Sequence, residues 1–567
     1  MKKIIVLPSE ISQKIAAGEV IERPFSVVKE LVENSLDAGA EDVKVELVAG
    51  GKKLIRVTDN GHGMSREDAG LCFERHSTSK IIKEEDLSHI STLGFRGEAL
   101  PSISAVSRVI LKTYDGKGNK GTLVEREGEE MIQVADTAFP RGTSVETRDL
   151  FFNLPARQKF LRTDRAELRM IVKHLTSVSL AYPEVRVSLF HGKREVFNYP
   201  PVRTLKERIF QIYGKSVLER LMEINYKENV HVYGFASRPP SGRSDRSHQH
   251  FFVNRRPVRD KILQAALNQA YRGVLEKDFF PEAFLIVYVP YSEVDVNVHP
   301  AKAEVRFRDS QLVFHQILKG IQDAILKERG VKEIYPLAGE KRESTRIEES
   351  KGVSVFKIPR KEKSAKRDLS IPFPKEEKDY PRVLGQYLDT YIIAYNEEGL
   401  FIVDQHNAHE RVLFEKYQEI DAQRKWPVKI SLLPFLFELS PSQKLALEDN
   451  KALLEEMGFR VEPMGGKSYA LKEFPDIFDT EEAKDIFLSL IEEIKEGAAE
   501  EKRKKLLATL ACKTAIKAGE SLSSEKMNYL AEELFKLSNF SLCPHGRPII
   551  VKLRRKEIEK ELKRPRN

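Results

Sequence analysis

Cysteine occurs only three times in 567 residues, at Cys72, Cys512 and Cys543, so no disulfide framework can organise this chain. No apolar run reaches the roughly 18 to 20 residues that a bilayer-spanning helix needs. The opening MKKIIVLPSEISQK has a basic start but lacks a long apolar core and a small-residue cleavage site. It therefore reads as mature protein rather than as a secretory signal. The expectation is a cytoplasmic protein with no membrane partner. There is no internal repeat, which excludes a solenoid. Neither sign of charge dominates: Lys and Arg number 94 against 86 Asp and Glu, leaving a net charge of +8 that suits a polyanionic partner.

The length exceeds what one ordinary core can fill and suggests about three or four domains. Residues 1 to about 330 alternate helical and strand patterns. RPFSVVKELVENSLDAG spaces Val27, Leu31 and Val32 on one helix face, with Gly39 just past the end. KVELVAGGKKLIRVTDNG reads as two strands around Gly50 and Gly51. HVYGFAS, HQHFFVNRRPV and FLIVYVP are further strands around a helical RDKILQAALNQAYRGVL. The segment 333–380 is rich in charge and proline, has little periodicity, and reads as a linker. Order resumes with VLGQYLDTYIIAYNEEGLFIVDQH, two strand-like runs separated by the turn NEEG.

KELVENSLDAGA places Glu30 and Asn34 four apart, one helical turn, on one face. A carboxylate there can orient and deprotonate a water, and an amide oxygen is a hard ligand suited to Mg²⁺. Taken singly, the pair is more often a solvated helix face. DNGHGM then offers Asp59 as an acceptor at a strand end, with Gly61 and Gly63 allowing close backbone approach to a flat ligand. LGFRGEAL supplies a glycine-bearing loop running into a helix, whose N–H groups can cradle phosphates. RGT at 141 to 143 adds a small hydroxyl-bearing turn. FFVNRRPVRDK clusters Arg255, Arg256 and Arg259, which can pair with backbone phosphates of DNA or simply solvate a strand end.

DQHNAHERVLFEKY places His406 and Glu410 four apart on a helix beginning near Gln405. Glu415 stands five residues on, and Asp404 lies where the preceding strand ends. A solvated carboxylate face is the plain reading. Against it, Cys512 in ACK and the close pair Cys543 and His545 in CPHGRP supply a thiolate and an imidazole to one metal. The mixed set suits Zn²⁺ on its sulfur side and Mg²⁺ or Mn²⁺ on its carboxylate side.

These motifs, in this order, resemble the ATPase superfamily shared by gyrase, histidine kinases and a major heat-shock chaperone. IAAGEVIERPFSVVKELVENSLDAGA and STLGFRGEALPSISAVSRV narrow the resemblance to the MutL mismatch-repair family, over nearly all of the chain outside the linker. The resemblance implies an α/β (α+β) protein. An ATPase α/β sandwich would occupy 1–205 and a second βαβ-type domain 206–332. The flexible linker 333–380 would lead to an α/β dimerisation and endonuclease domain at 381–567.

The resemblance further implies that Glu30 is the general base, Asn34 the Mg²⁺ ligand and Asp59 the reader of the adenine amino group, with Gly61, Gly63 and Thr143 around it. Thr78, Ser79, Lys80, Gly94, Phe95, Arg96 and Gly97 would cover the phosphates of ATP, and Lys302 would reach the γ-phosphate from the second domain. Arg255, Arg256 and Arg259 would touch DNA. Asp404, His406, Glu410, Glu415, Cys512, Cys543 and His545 would hold Mn²⁺ or Zn²⁺, with Asp404 and Glu410 catalytic in nicking duplex DNA. The partners implied are double-stranded DNA, a MutS-type mismatch sensor and a second copy of the chain, with a nucleoid-associated location.

Two departures touch the metal motifs: Asn407 replaces the usual alanine and Lys513 the usual arginine. A third replaces the glutamine that starts the family's sliding-clamp peptide with Lys429, in KISLLPF. That segment is either a clamp ligand or a buried strand. Rival readings are a scaffold whose C-terminal metal is purely structural, a topoisomerase and a histidine kinase. The sequence offers no tyrosine nucleophile in a winged-helix setting, and no phosphoacceptor helix precedes an ATPase domain that starts at residue 1.

Overall fold

Pro24 has the fixed φ that suits a first helical turn, and Val27, Val28, Leu31 and Val32 recur at helical spacing. In the computed structural model these residues form the helix Pro24–Asp37 and bury that face completely. The structure describes residues 18, 20–81, 83, 92–94, 97–243, 245–275, 279–295, 305–329, 380–494, 499–517 and 519–562. The opening segment and the expected linker up to residue 379 lie outside the described residues, as do Phe95, Arg96 and Lys302. The chain divides into two compact units, Met1–Gly330 with Tyr417–Lys513, and Val331–Lys416 with Thr514–Asn567.

The first unit opens with an eight-stranded sheet. Its strands are β1 (Asp42–Val48), β2 (Leu54–Asp59), β3 (Arg108–Tyr114), β4 (Gly121–Glu127), β5 (Glu130–Thr137), β6 (Gly142–Arg148), β7 (Arg186–His191) and β8 (Arg194–Tyr199). Their order is β5-β4-β3-β6-β2-β1-β7-β8. The pair β1 and β7 is parallel and the other neighbours are antiparallel. Alternate residues such as Val43, Val45, Leu47, Ile55 and Val57 point to one buried layer. That layer packs with the helices Pro24–Asp37 and Asp164–Ala181, so the first helix lies against the sheet through its apolar face.

A second sheet takes β9 (Leu221–Lys227), β10 (His231–Ser237), β11 (Gln249–Val253), β12 (Arg256–Val258) and β13 (Ala283–Tyr288) in the order β12-β11-β13-β10-β9. Parallel β11 and β13, joined through the helix Lys261–Ala270, form the expected βαβ unit. The run HQHFFVNRRPV is not one strand. It folds back on itself, because Asn254 and Arg255 both take left-handed φ values of 48° and 67° and make a two-residue turn. The Asn254 side chain fixes that turn by accepting from Val289 N–H (2.9 Å) and donating to Val289 C=O (2.8 Å). Two short strands, β14 (Val294–Asp295) and β15 (Arg306–Phe307), precede the helix Ser310–Glu328.

The second unit begins with β16 (Arg382–Tyr387), β17 (Tyr391–Asn396) and β18 (Gly399–Asp404), followed by the helix Gln405–Ala422. What reads in sequence as one run before NEEG is two strands, because Leu388 and Asp389 turn the chain with left-handed φ values of 52° and 46°. In the first unit, β19 (Val428–Glu438), β20 (Arg460–Gly465) and β21 (Ser468–Pro475) form a sheet in the order β19-β21-β20. The β19 register breaks between Ile430 and Phe435, and Leu432 between them is 99% exposed. The KISLLPF segment is therefore not a buried strand.

The strand β22 (Ile550–Arg554) returns to the second unit and completes an antiparallel sheet in the order β16-β17-β18-β22. One face of it, with Ile392, Ala394, Phe401 and Val403, is buried among Ala408, Val412, Leu530 and Leu534 of the adjoining helices. The other face is also apolar, presenting Tyr391, Tyr395, Val551 and Leu553 to the surface. Among the described residues no helix is long and apolar enough to cross a membrane.

Candidate nucleotide site and metal centre

Three polar residues of the first helix, Glu30, Asn34 and Asp37, share one face by their spacing. Asp37, which sequence reasoning overlooked, gathers the surrounding loops. Its Oδ1 accepts from Leu93 N–H (2.8 Å) and its Oδ2 from Gly94 N–H (2.9 Å) and the Lys80 ammonium (2.6 Å). The same ammonium donates to Asn34 Oδ1 at 2.9 Å. Thus Lys80 and Gly94 of the expected lid lie against Asn34. Thr78 and Ser79 precede them, with Thr78 Oγ1 accepting from Lys80 N–H (3.2 Å). Gly97 is required by a close approach: at φ +64°, a Cβ there would lie 2.5 Å from the Ser77 carbonyl oxygen.

Asp59, at the end of β2, is held from three sides. Its Oδ1 accepts from Gly61 N–H (2.9 Å) and Thr143 N–H (3.2 Å), and its Oδ2 from Ser35 Oγ (2.9 Å) on the first helix. Burial raises its pKa above the ordinary value, although the hydrogen bonds from Gly61, Ser35 and Thr143 and the nearby His62 oppose that shift. Gly63 lets backbone meet backbone beside it, since a Cβ at its φ of +71° would lie 2.0 Å from the Tyr114 carbonyl oxygen. A carboxylate fixed by donors from two loops and a helix is a rigid acceptor for a flat heterocycle.

The three candidate DNA-binding arginines separate. Arg255 Nε donates to Ala181 C=O (2.9 Å) at the end of the helix Asp164–Ala181, its guanidinium stacks 4.2 Å from the Tyr182 ring centroid, and it pairs with Glu184. Arg256 is 5% exposed and donates to Thr92 C=O and Leu93 C=O, each at 2.9 Å. Arg256 therefore does not present its charge to a polyanion in this conformation, while Arg255 is partly exposed. Arg259 alone of the three is exposed.

In the second unit, Glu410 is 2% exposed and its Oε1 lies 2.9 Å from His545 Nδ1. The ligand atoms of Glu410, Cys543 and His545 all lie within 4.8 Å of one another, and those of His406 and Glu410 do likewise. Hydrogen bonds to Cys543 and Glu410 push the His545 imidazole up to about 10. His406 Nδ1 lies 2.8 Å from Ile516 C=O, so it carries the proton and leaves Nε2 with its lone pair. A buried carboxylate, a buried thiol and the His545 imidazole at ligand spacing fit a zinc-like ion, with His406 within reach of the same carboxylate.

Of the remaining candidates, Asp404 and Glu415 are in neither group of ligand atoms. Asp404 Oδ1 accepts from Asn407 N–H (2.9 Å) and so caps the helix Gln405–Ala422. Glu415 pairs with Arg411 one turn back. Cys512, on the helix Ala499–Thr514, belongs to the first unit. Asn407 is buried and donates to Pro548 C=O (3.3 Å), which ties the helix to the loop of Cys543 and His545.

In the sequence Gln405 marks only the start of a helix. Fully buried, its Nε2 donates to Asp389 C=O (2.9 Å) and Glu520 C=O (2.9 Å), and its Oε1 accepts from Gln386. Gln386 in turn donates to Glu520 C=O (2.8 Å) and accepts from Leu522 N–H (3.0 Å).

A helix face of Glu30, Asn34 and Asp37 over a mixed sheet, with a fixed aspartate and a glycine-bearing lid, defines an ATPase domain. Residues 21–136 match the family described as histidine kinase-, DNA gyrase B-, and HSP90-like ATPase. Residues 209–326 match the DNA mismatch repair protein, C-terminal domain, and residues 384–522 the MutL C terminal dimerisation domain. The DNA mismatch repair protein MutL of Koribacter versatilis (strain Ellin345) is 36% identical over the full length of both chains. That of Caldanaerobacter subterraneus subsp. tengcongensis is 35% identical, again over both full lengths. The Aquifex aeolicus MutL ATPase domain complexed with ADP is 31% identical, covering 52% of this chain and 97% of its own, with a TM-score of 0.37. The chain belongs to the MutL family of DNA mismatch repair proteins.

Proposed function

We propose that this chain is an ATP-regulated homodimer that links mismatch detection by a MutS-type partner to nicking of duplex DNA. Supporting the ATP half, Glu30 stands one turn from Asn34, where its carboxylate can take the proton of a water attacking the terminal phosphate. Asn34 Oδ1 would hold Mg²⁺, Asp59 would accept from the adenine amino group, and Lys80 would meet the phosphates. Lys302 would add a contact from the second domain. The apolar outer face of the β16–β22 sheet, exposed among the described residues, supports pairing with a second copy. Exposed Arg259 would contribute to sequence-independent DNA binding. Exposed Ile430, Leu432 and Leu433 suit docking on a sliding clamp.

The observation that carries the nuclease reading is the buried Glu410 carboxylate within ligand distance of Cys543 and His545. His406, Glu410, Cys543 and His545 would hold Zn²⁺ or Mn²⁺, with Asp404, Glu415 and Cys512 as further candidates from the sequence. The ion, when bound, supplies Lewis-acid polarisation of a phosphodiester and an activated water. The protein's own part is orientation. Ile516 C=O fixes the His406 tautomer, and Asp404 holds the first turn of the helix that carries His406 and Glu410.

The test is nicking of supercoiled plasmid with Mn²⁺ by the native chain and by Asp404→Asn, a substitution that keeps a helix-capping side chain. Loss of nicking with ATP hydrolysis intact supports the endonuclease. If neither protein nicks while both hydrolyse ATP, the C-terminal metal is structural and the chain is a scaffold.

A further inference from the structure

Arg256 is a cation placed where no polyanion can reach it. Its base is rigid, because the left-handed turn Asn254–Arg255 is locked to Val289 by both polar atoms of the Asn254 side chain. From there its Nη2 donates to two successive carbonyls, Thr92 and Leu93, which immediately precede Gly94, a residue expected to cover the nucleotide phosphates. The opposite edge of that segment is held as firmly, since the Leu93 and Gly94 amides both donate to Asp37. A three-residue strap is thus gripped from both sides: by a carboxylate on the Glu30–Asn34 face and by a guanidinium rooted in the second sheet. Among the described residues, Nη1 of the same guanidinium is buried with no hydrogen-bond partner.

We infer that Arg256 is a positioning residue for ATP hydrolysis, clasping the strap Thr92–Gly94 so that nucleotide binding moves the second sheet. This rests on the reading of Glu30 and Asn34 as the nucleotide site. Any shift of the strap over bound phosphates pulls on two hydrogen bonds to Arg256, and through it on the β11–β12 turn. The same pair of bonds keeps the strap ordered before nucleotide arrives, so less order has to be created on binding. Such a contribution is made to the ground state and the transition state alike, and its loss raises KM more than it lowers kcat.

The experiment uses the full chain as Arg256→Met, Arg256→Lys and Glu30→Ala, with steady-state ATP hydrolysis and amide hydrogen exchange at the strap. The expected result for Arg256→Met is a KM for ATP raised by about tenfold, a kcat within about threefold of native, and faster exchange at Leu93 and Gly94. Lysine, which keeps the charge but not the fork, should recover part of both effects. If Glu30→Ala hydrolyses ATP at the native rate, it is the nucleotide-site reading that fails. If Glu30→Ala is inactive while Arg256→Met keeps native KM and native exchange, the inference is overturned. A fall in kcat alone, with KM unchanged, overturns it too. Should the methionine variant not fold cooperatively, the lysine variant decides by the same two readouts.

Discussion

The Lys80 ammonium lies 2.9 Å from Asn34 Oδ1 and also touches Asp37, so a protein cation stands on the oxygen proposed to bind a metal cation. Two positive charges cannot share that place at this distance without strong repulsion. On the proposed reading, binding of magnesium nucleotide lifts Lys80 off Asn34 and gives it to the phosphates. In Lys80→Met the competitor is gone, and the helix face should take up a divalent ion without nucleotide. We expect Mn²⁺ affinity, followed by electron paramagnetic resonance, to rise by about tenfold, with ATP affinity falling. Unchanged Mn²⁺ affinity would refute this competition.

Asp59 yields a pH prediction. Its folded pKa is raised by burial, so it takes up a proton before an ordinary aspartate, near about 3.9, would. By linkage its carboxylate form costs stability at neutral pH, and the stability gained on protonation is lost as pH rises through the folded value. The acceptor for an adenine amino group disappears on the same protonation. Adenine nucleotide affinity should accordingly start to fall on the acid side at a pH above the ordinary carboxylate range. Fluorescence titration at successive pH values down to about 4 checks it, and a flat affinity over that range would count against Asp59 as the adenine acceptor.

Gln405 ties the first turn of the metal-bearing helix to Asp389 and Glu520, and Gln386 braces it. Neither amide touches the proposed metal, so each acts only through the placement of His406. Gln405→Ala should weaken zinc binding by about 10- to 100-fold, as supporting contacts of metal ligands commonly do. Competition with a chromophoric chelator measures it. An unaltered zinc affinity would show that the network serves stability alone.

The open apolar face of the β16–β22 sheet gives a prediction about assembly. Leu553→Asp places a charge opposite Leu400 in the β18–β22 register and in the middle of that face. Sedimentation velocity should show a monomer at concentrations where the native chain is a dimer, because an unpaired carboxylate in an apolar interface costs several kcal/mol, on the order of 3 to 5. A variant that still sediments as a dimer would place the interface elsewhere.

Much of this is legible in the sequence. The face of Glu30 and Asn34 follows from helical period alone, and the helix formed where its valines and proline put it. Asp37 sits on that same face but was passed over, since its role depends on two backbone amides from a loop more than fifty residues away. The two hairpins were missed for a local reason. Their turns, Asn254–Arg255 and Leu388–Asp389, contain no glycine, and the left-handed conformation is imposed by the strands on either side. Arg256 was readable as a cation but not as one already taken by Thr92 and Leu93. Likewise Glu410, Cys543 and His545 were readable as ligand types. Their meeting depends on the long-range pairing of β18 with β22, which no periodicity encodes.

That pairing has a consequence for how the protein comes into being. Helix Gln405–Ala422 and the Cys543–His545 segment lie more than a hundred residues apart in the chain. At a synthesis rate of about 5 to 20 residues per second, the Glu410 carboxylate exists for on the order of ten seconds before its partners are made. During that interval the nucleotide site of the first unit can already be folded, while the proposed cutting site has no second half. A chain interrupted in this window would carry the nucleotide site without the proposed metal centre.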